Sequence, residues 1–104
     1  MIRERSHIYF KDLAGWNLGI EATTEGNKIA KSRGWPTSSA WTLVSGPFNE
    51  IVTETDYPDL NTYQRIAEES LADAEWLATL KPAMEAMAVE RCWNELLTPA
   101  EASA

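Results

Sequence analysis

The chain has few side chains that can carry acid–base or nucleophilic chemistry. It contains one histidine, His7, and one cysteine, Cys92, among 104 residues. A single histidine excludes a multi-histidine metal site, and no Cys, His or Glu ligand spacing is present, so we expect no metal or other cofactor. Only His7 is available to activate Cys92 as a nucleophile. His7 is therefore the one candidate catalytic residue, as a general base near neutral pH, with a structural or surface role as the alternative.

Asn49 is a second candidate, because it stands next to a Gly46-Pro47 turn at the start of an apolar–polar alternation. Its amide either points into a pocket and orients an oxygen of a ligand or of dioxygen, or it bonds the loop backbone and fixes a hairpin. The second role is the more frequent use of Asn beside a turn. We expect Glu50 to be a solvated or dimer-contact carboxylate.

Aromatic residues are unusually frequent, with five Trp in so short a chain. Large aromatics either fill the core and a subunit interface or line a pocket for a flat or apolar ligand. Positions that can face a cleft between a sheet and its helices make up the candidate ligand-binding set, together with polar neighbours: Tyr9, Trp16, Trp41, Asn49, Tyr63 and Trp76.

Composition limits the class of protein. Hydrophobic residues make up 44% and charged residues 24%, which is typical of one globular domain, and we assign it to residues 1–98 with a tail at 99–104. The net charge of −7 argues against nucleic-acid binding. No apolar run is long enough for a membrane span and the N-terminus is too charged for a signal peptide, so we expect a cytoplasmic protein with a reduced Cys92.

The N-terminal third predicts a strand followed by a helix. Residues 2–10 alternate as a strand does, and Asp12 is a candidate N-cap for a helix that runs to about Arg33. Small residues recur at steps of four and three along this helix, which places them on one face that can approach a sheet closely: Gly15, Gly19, Ala22, Gly26 and Ile29. The alternative is that the helix breaks near Glu25-Gly26-Asn27.

The remaining pattern predicts a hairpin, two helical segments and a last strand. Residues 39–44 and 48–57 alternate around Gly46-Pro47 and should pair as an antiparallel hairpin. Asp59 and Asp73 are candidate caps of two helical segments, the second of which should end near Lys81-Pro82. Residues 86–97 fit a strand or a helix, and the order of elements favours the strand, because it completes a split β-α-β motif. The predicted fold is α+β and ferredoxin-like, with a four-stranded antiparallel sheet and helices on one face.

The stretch "GPFNEIV", a later Tyr and Leu, and "LADAEW" resemble the NIPSNAP-type branch of the dimeric α+β-barrel superfamily. The matching residues are Gly46, Pro47, Asn49, Glu50, Ile51, Val52, Tyr57, Leu60, Ala72, Asp73 and Trp76. The resemblance departs at three places. Ser6 and Ile8 stand where the family usually has Arg and Tyr, Thr53 and Thr55 where it has His and Trp, and Ala74 where it has Pro.

The resemblance implies a homodimer, or a multiple of dimers, in which two sheets meet face to face with the helices outside. A sheet with helices on one face also leaves its other face for solvent or a partner, and closed two-fold dimers are the most common oligomer. The expected function is binding of a small apolar or aromatic ligand between the sheet and the helices, with His7 and Trp41 at the wall of the site. The alternative that the resemblance implies is a cofactor-independent monooxygenase, isomerase or cyclase acting on an aromatic or polyketide-like substrate.

Overall fold

The computed structural model describes residues 1–100 and has an antiparallel four-stranded sheet with three α-helices packed on one side. Its elements, in chain order, are β1 (Ile2–Tyr9), α1 (Leu13–Arg33), β2 (Ser38–Thr42), β3 (Glu50–Tyr57), α2 (Leu60–Leu71), α3 (Ala74–Glu85), a 3₁₀ turn (Val89–Arg91) and β4 (Trp93–Leu97). The strand order is β2-β3-β1-β4. This order confirms the predicted ferredoxin-like α+β fold.

Strand β1 lies at the centre of the sheet and fixes its register on both sides. His7 pairs with Val52 of β3 on one side and with Trp93 of β4 on the other. Trp41 of β2 pairs with the same Val52. Because side chains alternate along a strand, these four residues point to the same side of the sheet.

The two sides of the sheet have different surroundings. Ile8, Phe10 and Ile51 point towards the helices and pack with Ala22 of α1 and Ala83 of α3. We call this side the helix face. A second cluster of Ala30, Trp35 and Ile66 extends the core to the region between the C-terminal end of α1 and helix α2. The opposite side, which we call the open face, carries Arg3, Arg5, His7, Tyr9, Trp41, Val52, Glu54, Asp56, Trp93 and Glu95.

Helix α1 is continuous, so the alternative break at Glu25-Gly26-Asn27 is wrong. The Asp12 carboxylate caps it by accepting a hydrogen bond from the Gly15 amide at 2.7 Å. At the other end Gly34 has φ 74°, a left-handed conformation that favours glycine. This reversal lets the Trp35 amide donate to the Ala30 carbonyl and turns the Trp35 side chain back into the core.

Most of the predicted helix seam is buried. Gly15, Gly19, Ala22 and Gly26 are buried as expected, and Ala30 replaces the predicted Ile29 as the last buried member. A Cβ atom at Gly19 would overlap the Phe10 ring and come within 2.9 Å of the Cδ1 atom of Ile51. The absence of a side chain at Gly19 therefore sets how closely α1 approaches the sheet.

Three predicted boundaries differ from the structure. The hairpin connection is a loop of residues 43–49 rather than a tight turn at Gly46-Pro47, so β2 and β3 are shorter than predicted. Helix α3 continues through Pro82 to Glu85. Proline removes one helical hydrogen bond, but Ala78, whose carbonyl loses its donor, is exposed and can bind water instead.

The segment 86–97 is a strand only in its second half. Met87 makes a single bridge to Phe10, Val89–Arg91 forms the 3₁₀ turn, and β4 begins at Trp93. Cys92 lies between them, where its sulfur accepts a hydrogen bond from the Tyr9 amide at 3.4 Å. The predicted tail at 99–104 lies largely outside the described residues. In the part of the chain that the structure describes, no helix has the length and apolar character needed to cross a membrane.

Substitution of Gly19 tests the close approach of α1. We expect Gly19→Ala to lower the free energy of unfolding by about 1–3 kcal/mol, because the new methyl group collides with Phe10. Gly26→Ala is the matched control, since its Cβ would lie 3.4 Å from the Cζ3 atom of Trp76. Its better helix propensity should leave stability unchanged or raise it by up to about 1 kcal/mol. Denaturant unfolding measures both, and equal effects of the two variants would contradict this account.

Candidate functional site

A cavity of about 320 Å³ lies between the helix face of the sheet and the helices, next to the C-terminal end of α1 and to α2. One wall of the cavity is formed by strands β1, β2 and β3. A second wall is formed by the end of α1 together with Trp35, and the remainder by α2 together with Trp76 of α3. The lining residues are Glu4, Ala30, Trp35, Pro36, Ser38, Thr53, Thr55, Tyr57, Tyr63, Ile66, Ala67, Ser70, Leu71 and Trp76. Such a lining, mostly apolar with a few polar groups, is typical of small-molecule sites.

Two pairs of aromatic rings give the cavity much of its wall. Trp35 and Trp76 are perpendicular, with ring centroids 5.6 Å apart, and Tyr57 and Tyr63 are perpendicular at 5.1 Å. Edge-to-face contacts of this kind are the favourable geometry for aromatic pairs. The indole N–H of Trp35 also donates to a Glu69 carboxylate oxygen at 3.0 Å, which fixes the ring orientation.

Helix α1 holds the strand that closes one side of the cavity. The Asn27 amide group donates to the Ser38 carbonyl at 2.9 Å, and its oxygen accepts from the Ser38 amide at 2.8 Å. The Ser38 and Thr55 hydroxyls lie 2.5 Å apart on neighbouring strands. Asn27 thus positions Ser38, the first residue of β2, and with it one of the hydroxyl groups of the cavity wall.

Glu4 is the acidic group of the cavity. One of its carboxylate oxygens accepts a hydrogen bond from the Tyr63 hydroxyl at 3.0 Å. Burial and then the negative charge of Glu4 raise the pKa of Tyr57 to about 12. The same two causes, with the hydrogen bond to Glu4, raise the pKa of Tyr63. Both phenols are therefore protonated near neutral pH, and that of Tyr63 donates to Glu4.

The structure separates the predicted site residues. Tyr63 and Trp76 line the cavity as predicted, whereas Trp16 packs in the other core cluster and its indole N–H donates to the Glu50 carbonyl at 3.3 Å. Asn49 donates from its side chain to the Phe10 carbonyl at 2.6 Å. This contact supports the structural interpretation of Asn49, although the bond reaches β1 rather than the turn itself.

His7, Tyr9 and Trp41 lie on the open face, so the expectation that His7 and Trp41 form the wall of a sheet–helix site is wrong. Strand alternation is the reason, because Ile8 and Phe10 occupy the helix face and their neighbour His7 must point away. The His7 ring stacks on Trp93 with centroids 3.9 Å apart. Its Nδ1 and Nε2 atoms lie 3.7 Å from Glu50 and 3.5 Å from Glu95.

Glu50 is buried in the single chain, with 4% of its surface exposed, so the solvated alternative is wrong and the dimer-contact alternative stays a prediction. Tyr9 lies opposite it on β1, and hydrogen bonding to Glu50 raises the pKa of Tyr9. Among residues 1–100, no group of three or more Asp, Glu, His and Cys side chains is arranged to hold a metal ion.

Sequence reasoning missed Glu4, Trp35 and Tyr57 as cavity residues. Glu4 shares its strand parity with Ile8 and Phe10, and Tyr57 shares its parity with Ile51. In each strand, every second residue points to the same side. Assigning the more apolar of these two sets to the helix face would have found both residues. No comparable pattern marks Trp35, because its position depends on the left-handed turn at Gly34.

The NIPSNAP family model matches residues 12–104 of the chain. A NIPSNAP domain protein from Burkholderia xenovorans is 21% identical and superposes with a TM-score of 0.80, covering 100% of this chain and 99% of the other. A NIPSNAP family protein from Agrobacterium tumefaciens is 26% identical with a TM-score of 0.80, covering 99% and 91%. No protein with a curated description matches the chain.

An oxygenase also has a similar fold. A mutant of SnoaB, a cofactor-independent oxygenase from Streptomyces nogalater, is 11% identical with a TM-score of 0.64 and covers 97% of this chain and 94% of its own. This likeness concerns the fold alone.

Replacing Glu4 tests the electrostatics of the cavity. We expect Glu4→Gln to lower the pKa values of Tyr57 and Tyr63, because a negative neighbour opposes phenolate formation. Tyr57 should stay above its ordinary value of about 10, since burial is the larger cause. Near-ultraviolet titration of tyrosinate absorbance measures these changes. Glu50→Gln is the matched control and should shift only Tyr9.

The same shifts predict how stability depends on pH. The folded-state pKa of Tyr57, about 12, lies above its unfolded value of about 10. Its contribution to stability is therefore complete below pH of about 10 and is lost as the pH rises to about 12. In Glu4→Gln the loss should begin and end at lower pH. Identical tyrosine titrations in the wild type and Glu4→Gln would show that Glu4 does not act on these phenols.

Proposed function

The chain belongs to the NIPSNAP family, and we propose that this member is a homodimer that binds a small aromatic or otherwise flat apolar ligand in the cavity between sheet and helices. The observation that carries the proposal is the composition of the cavity wall. Two Trp and two Tyr line the cavity together with one carboxylate, Glu4, and four Ser and Thr residues. Aromatic walls with a few placed polar groups give affinity for flat apolar molecules and fix their orientation.

The size of the cavity limits the ligand. At about 320 Å³ it is at the small end of the range of about 300–1,000 Å³ that ligand pockets span. A molecule of about one or two rings fits this volume. The wall is largely preformed, because Trp35 is held by Glu69, Tyr63 by Glu4, and Ser38 by Asn27. A preformed wall loses little side-chain freedom on binding.

The open face supports the dimer. It combines exposed aromatic side chains, with Trp41 55% and Trp93 51% exposed, and a buried Glu50 within 4 Å of His7. A sheet face of this kind is stabilised when a second copy covers it, and a two-fold axis allows the same face to serve both partners. The ligand cavity lies on the other side of the sheet, so the dimer contact and the ligand do not compete for the same surface.

The alternative function is cofactor-independent oxygenation, isomerisation or cyclisation of an aromatic substrate. The specific observation in its favour is a carboxylate, Glu4, inside an apolar cavity, where it can accept a proton from a phenolic substrate. His7 is on the other face of the sheet and takes no part in this version. Oxygen consumption or product formation with a bound phenol would distinguish this alternative from binding alone.

Ligand binding is tested by filling the cavity. We expect 2-naphthol, an uncharged two-ring phenol, to quench Trp fluorescence through Trp35 and Trp76 in the wild type. Ala67→Phe should abolish this quenching, because Ala67 lines the cavity and the larger side chain occupies it. Ala78→Phe is the matched control on the exposed surface of α3 and should bind as the wild type does. Equal quenching in Ala67→Phe would place binding elsewhere, and no quenching by a wider panel of aromatics would contradict the proposal.

Assembly is tested separately by light scattering. We expect a mass near twice the 11.6 kDa of one chain, or a multiple of that value, at micromolar concentration. Trp41→Glu should shift the protein to monomer, because it replaces an exposed aromatic side chain of the open face by a charge. Leu13→Glu, at an exposed position that begins α1, should leave the mass unchanged. A monomeric wild type would contradict the dimer and leave the ligand cavity untouched.

A further inference from the structure

We propose that the cavity selects a cationic ligand, namely a small aromatic amine whose ammonium group pairs with Glu4 while its ring packs against the aromatic wall. This inference rests on the proposed function, because it names the chemical class that the same site binds. It follows from the charges around the cavity rather than from its size.

Glu4 differs from the other carboxylates of the sheet. Four of the five strand carboxylates have a basic side chain within 4 Å, through Arg3, Arg5 or His7: Glu50, Glu54, Asp56 and Glu95. Within the described residues 1–100, Glu4 has no such ion pair, and its recorded partner is the neutral Tyr63 hydroxyl. The carboxylates of the open face thus lie next to basic side chains, whereas within the described residues Glu4 lies next to none.

The cavity wall provides no other positive charge. The fourteen described residues that line it include no Lys, Arg or His. A carboxylate removed partly from water is stabilised by a nearby cation, and the protein supplies none here. An anionic ligand, such as a carboxylate or phosphate, would meet Glu4 with like charge and find no basic side chain to bind it.

The aromatic residues add a second source of attraction for a cation. The faces of Trp and Tyr rings carry negative potential and attract ammonium groups within about 6 Å of the ring centre. Trp35, Trp76, Tyr57 and Tyr63 all line the cavity that contains Glu4. Four aromatic side chains with one carboxylate form the combination that binds protonated and alkylated amines in aromatic cages.

The polar atoms of the wall suit an ammonium donor. An ammonium group donates up to three hydrogen bonds and accepts none. Glu4 accepts at one end of the cavity, and the Ser38 and Thr55 hydroxyls offer oxygen lone pairs at the β2 side. After burial, the negative charge of Glu4 is the next cause that raises the pKa values of the neighbouring Tyr57 and Tyr63.

The test uses three probes of similar shape and different charge: phenethylamine, phenethyl alcohol and phenylacetate. Affinities are measured by calorimetry on the full chain near neutral pH. We expect the amine to bind about ten-fold more tightly than the alcohol, because a charge-assisted contact and cation–π attraction are added. Phenylacetate should bind most weakly.

Variants assign the preference to Glu4. In Glu4→Gln the ratio of amine to alcohol affinity should fall to about one while alcohol binding persists. Glu68→Gln, an exposed α2 position outside the cavity, makes the same change in net charge and should keep the preference. Glu4→Asp keeps the negative charge and should keep an amine preference, and Glu4→Ala removes the charge by a second route if Glu4→Gln does not fold.

The outcomes separate this inference from the proposed function. An alcohol that binds as tightly as the amine overturns the inference and leaves the proposed aromatic site intact. An amine preference that is unchanged in Glu4→Gln also overturns it, because the preference then comes from the general acidity of the chain. If none of the three probes binds and 2-naphthol does not bind either, the proposed function itself fails.

Discussion

The fold depends on how closely α1 can approach the sheet. Gly19 lies over Phe10 and Ile51, the two large side chains that are most completely buried, and any side chain at this position would occupy their space. Because α1 is a continuous helix of 21 residues, contact at Gly19 in its first third also determines where its C-terminal end lies. The C-terminal end carries Ala30 and leads through Gly34 to Trp35, so the close contact at Gly19 fixes one wall of a cavity that lies several turns away.

The sheet separates two kinds of chemistry. On the open face, the basic side chains of β1 lie between the acidic side chains of the neighbouring strands β3 and β4. Arg5, for example, contacts both Glu54 and Glu95. On the helix face the same strands present apolar residues around Phe10 and Ile51. Around the cavity they present hydroxyl, phenol and carboxylate groups instead. The half without large aliphatic side chains on the sheet is where the cavity forms, since Thr53 and Thr55 fill less space than Ile51 does.

Much of the fold was readable from the sequence because its signals are local. The spacing of small residues predicted α1 and its buried face, and the aspartates at positions 12, 59 and 73 were correctly identified as helix N-caps. The site was less readable, because alternation shows that His7 and Ile8 point to opposite sides but does not say which side the helices cover. Trp41 was misplaced for the same reason. Residues 86–92 were wrongly assigned to the last strand because a 3₁₀ turn and a strand can share the same run of side chains, and only pairing with β1 decides between them.

The central position of β1 has a consequence for synthesis of the chain. Strand β1 is synthesised before β3 and β4, the two strands with which it pairs, and the ion pair between Arg5 and Glu95 joins residues 90 positions apart. At a synthesis rate of about 5–20 residues per second, β1 waits for seconds with two unpaired edges while α1 can already form. Until its partner strands are made, the unpaired edges of β1 are open to pairing with another chain. Its alternating charges, Arg3, Glu4 and Arg5, are the type of residue that keeps such an edge from aggregating before its partners arrive.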